Sequence, residues 1–90
     1  MKMRVKVYIS GRVQGVGYRY FVKRQAKKLD LKGWVRNMDD GRVEGVFEGE
    51  KDKVEEMIKW CKEGLMLAEV KEVEVQKEDC QKEKDFVILK

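Results

Sequence analysis

MRVKVYISGRVQGVGYRYFVKRQAKKL, residues 3–29, changes its period once, and that change decides the fold. Met3, Val5, Val7 and Ile9 alternate with Arg4, Lys6, Tyr8 and Ser10, the period of two of a half-buried strand. Gly11, Gly15 and Gly17 then interrupt the pattern, and such glycine density marks a loop whose backbone turns sharply or approaches something closely. From Tyr18 the spacing becomes Val22, Ala26 and Leu29, with Phe21 and Gln25 beside them, which is a helix.

The rest of the chain continues the alternation. Leu31, Gly33 and Val35 alternate with Lys32, Trp34 and Arg36 in a second strand that runs out at Asn37-Met38-Asp39-Asp40-Gly41, whose Asp-Gly pair predicts a hairpin. Arg42 to Gly49 returns as a third strand. Val54, Met57, Ile58 and Cys61 fall at helical spacing, with Asp52 and Glu55 as an N-terminal cap pattern and an end near Gly64. Val70, Val73 and Val75 form a fourth strand whose apolar parity switches, predicting a bulge at Lys71 or Glu72. Phe86 to Leu89 is a short last strand. The order β-α-β-β-α-β with a late extra strand predicts an α+β, ferredoxin-like sandwich, two helices on one face of a mainly antiparallel sheet, with residues 1–90 as one domain.

Composition narrows the chemistry. With 90 residues, 42% of them apolar, the core is modest, so large apolar side chains such as Trp34, Trp60, Met57 and Met66 are read first as packing. No apolar run approaches the ~18 residues of a membrane span, and Met1-Lys2-Met3-Arg4 leads into a strand rather than a signal-peptide core, so a soluble, cytoplasmic protein is expected. Cys61 and Cys80 stand alone in a chain without histidine, which excludes the usual zinc spacings and leaves two idle thiols, a disulfide being the alternative. Fifteen Lys and eleven Glu, against a single Asn and no His, is a balance like that of proteins from hot environments. The net charge of +4 hides an asymmetry: residues 1–36 carry eleven basic and one acidic side chain, residues 37–90 ten and sixteen. The basic third presents a positive field to an anion, a phosphate ester or a nucleic acid, or is simply a solvated helix face.

In this topology the first two strands run parallel with the third between them, so the glycine loop and Asn37 share one sheet edge, about 10 Å apart. Gly15-Val16-Gly17-Tyr18 offers no Ser, Thr, Asp or Asn to cap the helix. A phosphate would satisfy the free amides, with Arg19 adding a planar fork for two of its oxygens; water capping an ordinary glycine turn would satisfy them as well. Tyr18 and Tyr20 flank Arg19, and one of them is expected against the loop or the site.

Gly11-Arg12-Val13-Gln14-Gly15-Val16-Gly17-Tyr18-Arg19 resembles the G-x-V-Q-G-V-x-[FY]-R signature of the acylphosphatase family, and Gly33-Trp34-Val35-Arg36-Asn37 resembles its second motif. The resemblance covers essentially the whole chain. It implies hydrolysis of the carboxyl-phosphate bond of a small acyl phosphate. The backbone of Gly11, Arg12, Val13, Gln14, Gly15, Val16 and Gly17 would cradle the phosphoryl group with the Arg19 guanidinium, and Asn37 would orient the attacking water. It implies no metal, no cofactor, and a site that inorganic phosphate or sulfate would occupy. Two departures stand out: Met38 replaces a small hydroxyl residue that often follows the asparagine, and Gly64-Leu65-Met66-Leu67-Ala68 lacks a frequent proline.

The chemistry suits the composition independently. An acyl phosphate releases a weakly basic carboxylate, so no general acid is needed, and phosphoryl transfer asks mainly for positioning and charge stabilisation. The main competitor is an RNA-binding module of the same strand order, for which Tyr8 and Phe47 would be the stacking aromatics, although Glu44 and Glu48 stand where basic or neutral groups belong. A phosphatase-like module within a larger maturation assembly, acting on a carbamoyl or acyl phosphate, is the other. The acidic stretch Glu69 to Glu83 reads as a solvated strand and loop that limits edge pairing.

Overall fold

The computed structural model describes residues 1–63 and 68–90. Its elements are β1 (Lys2–Arg12), α1 (Tyr18–Lys28), β2 (Lys32–Asn37), β3 (Val43–Glu50), α2 (Lys51–Glu63), β4 (Glu69–Glu78) and β5 (Phe86–Ile88). The sheet order is β4-β1-β3-β2-β5. β3 pairs antiparallel with both β1 and β2, β4 pairs antiparallel with β1, and β5 runs parallel to β2. Two helices packed on one face of a mixed, mainly antiparallel sheet make the ferredoxin-like α+β fold that the periodicity predicts.

The alternation in β1 sorts the sheet into two faces. Val5, Val7 and Ile9 are fully buried and meet Tyr18, Val22 and Ala26 of α1 and Val54, Met57 and Cys61 of α2 in one core. Phe47 of β3 belongs to this side, stacked on Phe86 of β5 with centroids 5.7 Å apart, a pairing worth about 1 kcal/mol beyond the area it buries. Phe47 is therefore a core residue and offers no surface on which a base could stack. The other RNA-contact candidate, Tyr8, lies on the opposite face with the Arg42 guanidinium 5.0 Å from its ring centre.

The face away from the helices is covered by ion pairs. Arg4 is 5% exposed because three carboxylates enclose it: Glu48 at 3.0 Å, Glu78 at 2.9 Å and Glu83 at 3.1 Å. Glu48 also accepts the Gln81 and Lys82 amides, which ties the segment after β4 to the sheet. Arg36 and Lys6 reach Glu44 in the same way. The expectation of a merely solvated acidic stretch is corrected here: Glu78 and Glu83 neutralise a buried arginine, while most of β4 is exposed.

Local expectations fare unevenly. The bulge is where the parity switch places it: Ser10 faces Glu72, Gly11 faces Val70, and Lys71 is passed over. Asp52 is not a cap, because α2 begins at Lys51 and Asp52 sits inside its first turn, where a negative charge favours the helix dipole without closing it. The expected helix end at Gly64, Met66 as packing, and the stretch Gly64 to Leu67 fall outside the described residues. Trp60 packs partly buried against the core, whereas Trp34 is half-buried on the ion-paired face. Cys61 and Cys80 are free thiols, buried and exposed respectively. No helix among the described residues is long and apolar enough to cross a membrane.

Candidate active site

β1 runs beyond the predicted Ser10, because Gly11 and Arg12 continue the ladder opposite Val70 and Glu69. The connection to α1 is therefore Val13–Gly17. Val13 is 1% exposed and anchors the turn in the core. Gly15 and Gly17 then take φ of 76° and 78°, a left-handed region that residues with a side chain adopt only at a cost. Gly17 is the N-cap of α1, no side chain caps the helix, and no acidic residue lies in its first turn. The result is a helix N-terminus whose backbone donors and positive dipole end face outward without a carboxylate or hydroxyl to satisfy them.

A cavity of about 180 Å³ opens at this terminus, walled by Val13, Gly15, Gly17, Arg19, Tyr20 and Ile88. Arg4, Arg36 and Arg42 are each held by a carboxylate, whereas among the described residues Arg12, Arg19 and Arg24 make no ion pair, and of these three Arg19 lies on the cavity wall. Its charge is left to the cavity. Tyr18 completes the wall, but its hydroxyl donates to the Cys61 carbonyl oxygen at 3.2 Å, and burial, with Cys61 beside it, raises its pKa. Tyr20, 59% exposed, stands at the rim against the edge of Phe21. Both flanking tyrosines thus border the cavity, one as wall and one as lip.

Asn37 is the last residue of β2, on the helix-facing side in register with Val35, and its Cα partner is Val43. Its amide oxygen Oδ1 is buried and has no hydrogen-bond partner among the described residues. Leaving such an acceptor unmade costs about 1–3 kcal/mol, so the position favours something other than stability. Asn37 does not line the cavity around Arg19. The two are linked through β5: Ile88, a cavity wall, pairs with Val35, two residues before Asn37, and the Leu89 amide donates to the Val35 carbonyl at 2.9 Å.

The expected cradle divides into parts. Val13, Gly15, Gly17 and Arg19 come together around the cavity. Gly11 and Arg12 instead line a separate cleft of about 510 Å³ with Asp40 and Arg42, on the β4 side. Val16 packs partly against the core. The Gln14 side chain turns to the β2–β3 hairpin, where Nε2 donates to the carbonyl oxygens of Met38 at 2.8 Å and Arg42 at 2.9 Å. Ile88 and the Gln14 side-chain contacts escaped sequence reasoning; the apolar parity of Phe86 and Ile88 was the available signal for the first. A cleft of about 330 Å³ between Met1–Arg4 and Lys77–Cys80 lies at the opposite end of β1, far from the α1 terminus.

The profile of the Acylphosphatase family matches residues 5–88. The acylphosphatase of Syntrophobacter fumaroxidans is 53% identical over 78 residues, 87% of this chain and 80% of that one. The crystal structure of acylphosphatase from Bacillus subtilis superposes with a TM-score of 0.95 at 36% identity, covering 98% of this chain and 99% of that one. Full-length HypF, solved in its phosphate- and nucleotide-bound form, contains a region similar to all of this chain, with a TM-score of 0.89 at 32% identity over 12% of its own length.

Proposed function

The chain belongs to the acylphosphatase family and is an acylphosphatase enzyme, and on that premise we propose how its residues divide the hydrolysis of an acyl phosphate. The backbone of residues 11–17, chiefly Val13 to Gly17, seats the phosphoryl group against the N-terminus of α1, and Arg19 pairs with two of its oxygens. The observation that carries this reading is the uncapped mouth of α1, opening onto a small cavity with Arg19 on its wall.

Asn37 aims the attacking water. Its buried, unpartnered Oδ1 is an acceptor for a water proton, and hydrogen-bonding that proton turns the oxygen lone pair toward phosphorus. The water oxygen forms a bond to phosphorus as the bond from phosphorus to the carboxyl oxygen breaks, and the electron pair leaves on the carboxylate. The water proton passes to a phosphoryl oxygen, so an acyl phosphate dianion and water give a carboxylate and dihydrogen phosphate. Arg19 and the loop amides stabilise the charge on the transferring group. The carboxylate leaves without protonation, which fits a chain with no histidine.

The reading extends to a single domain over residues 1–90 that works without metal or cofactor, in the cytoplasm, and melts above the ordinary ~45–65 °C range. Chelator should leave turnover unchanged. The deciding experiment compares kcat and KM for acetyl, carbamoyl and benzoyl phosphates and a phosphate monoester, in the parent enzyme, Arg19→Ala and Asn37→Ala. Arg19→Ala should weaken phosphate inhibition and turnover together, and Asn37→Ala should lower kcat about 100-fold with little change in KM. Parent-like rates in either variant, or brisk monoester hydrolysis, would refute the assignment.

A further inference from the structure

The geometry points to Gln14 as a positioning residue that holds the anion seat in register with Asn37. The inference rests on the reading that Asn37 aims the water.

Gln14 spends both amide hydrogens on one target. Nε2 reaches the Met38 and Arg42 carbonyl oxygens at 2.8 and 2.9 Å, so the donor group is fully used and has none left for a ligand. Those two carbonyls are the ones that close the β2–β3 hairpin: the Met38 amide donates to Arg42 at 2.7 Å and the Gly41 amide to Met38 at 3.2 Å. Each oxygen already has a partner before Gln14 adds a second. A surface hairpin does not need this extra bond to avoid an unsatisfied acceptor, and water would serve as well.

What the bond fixes is relative position. Met38 follows Asn37, and Arg42 precedes Val43, the cross-strand partner of Asn37. Gln14 thus grips both residues flanking the Asn37–Val43 pair. In the chain it stands between Val13, locked in the core, and Gly15, whose positive φ turns the backbone toward the cavity. A side chain reaching one way and a backbone turning the other make a strut between the two halves of the site. A neutral donor suits this role. A carboxylate would face two carbonyl oxygens, in a hairpin that also carries Asp39 and in which Asp40 and Arg42 are paired with each other at 2.9 Å.

The test is a double-mutant cycle between Gln14→Leu and Asn37→Ala, with Gln14→Glu as a pH probe. Readouts are kcat per folded molecule and the competitive inhibition constant of inorganic phosphate. Gln14→Leu should lower kcat about 10- to 100-fold, the scale of a misplacement near 1 Å, while phosphate inhibition stays within about threefold. In the Asn37→Ala background the same change should cost less than about threefold. Gln14→Glu should be slow at neutral pH and recover relative to the parent as pH falls and its carboxyl becomes a donor. If Gln14→Leu does not fold, the pH profile of Gln14→Glu decides alone. Parent-like kcat in Gln14→Leu, equal costs in both backgrounds, or a Gln14→Glu ratio flat with pH would overturn the strut. An Asn37→Ala single variant with full kcat would instead remove Asn37 from the water-aiming role, a separate failure read from a separate variant.

Discussion

Gly11 lies against the backbone of Glu69 so closely that a Cβ at position 11 would collide with the Glu69 carbonyl oxygen and come 2.8 Å from the Lys71 amide nitrogen. Its φ of 126° is outside the range other residues tolerate. Both obstacles are backbone atoms of a paired strand, so neither can swing away. Gly11→Ala should therefore lose about 3 kcal/mol or more of stability, read as a lower urea midpoint, by straining the bulge past which the β1–β4 ladder continues.

Asn37 carries an amide oxygen that is buried and, among the described residues, unpartnered. Its replacement by alanine removes a group whose desolvation costs about 1–3 kcal/mol, against the loss of a little packing. The unfolding midpoint of Asn37→Ala should equal or exceed that of the parent, even as kcat falls about 100-fold. A large loss of stability would show the side chain to be structural.

Glu48 gives the fold a pH dependence. Burial pushes its carboxyl up, but the Gln81 amide, Arg4 and the Lys82 amide outweigh burial and hold it below the ordinary 4.5. Glu78 is lowered too, by its hydrogen bond to Arg4 despite burial. A carboxylate depressed in the native state contributes stability that is complete above its unfolded pKa and disappears as pH falls through the native one. The unfolding midpoint should be level from pH ~8 to ~5.5 and drop below ~4.5. Glu48→Gln should lower it at pH 7, by about 3 kcal/mol if the pair behaves as a broken buried one, and flatten the acid limb.

The two thiols should separate cleanly. Burial pushes the Cys61 thiol up to about 12, while Cys80 is exposed. Because only the thiolate reacts, a thiol reagent near pH 8 should modify one cysteine in the native protein and two in denaturant. Two rapid equivalents in the native state would mean that the helix pair opens readily.

Local periodicity made much of this fold legible. Val5, Val7 and Ile9 announced the buried face, and the switch between Val70 and Val73 narrowed the bulge to Lys71 or Glu72, of which Lys71 is the residue passed over. Asn37 was placed at the end of β2 beside the glycine turn because strand order alone decides that edge. Contacts across the sheet were not legible. Arg4 occupies an outward position in an alternating strand, yet three carboxylates from distant segments bury it. Ile88 enters the site through a parallel pairing with Val35, and Gln14 through bonds to residues 24 and 28 positions away. None of these leaves a period in the sequence. Gly11 and Arg12 read as loop because glycine usually breaks a strand, whereas here Gly11 lets the strand continue past its bulge.

One strand sets the dimensions of the proposed chemistry. Every residue from Val43 to Gly49 of β3 is buried, and β3 lies between the strand that feeds the glycine turn and the strand that ends in Asn37. Main-chain hydrogen bonding fixes such a gap at two strand spacings, about 10 Å. The central strand is thus a ruler whose graduations are backbone atoms. The gauge between anion and water is therefore set by the main chain and not by the length of any side chain.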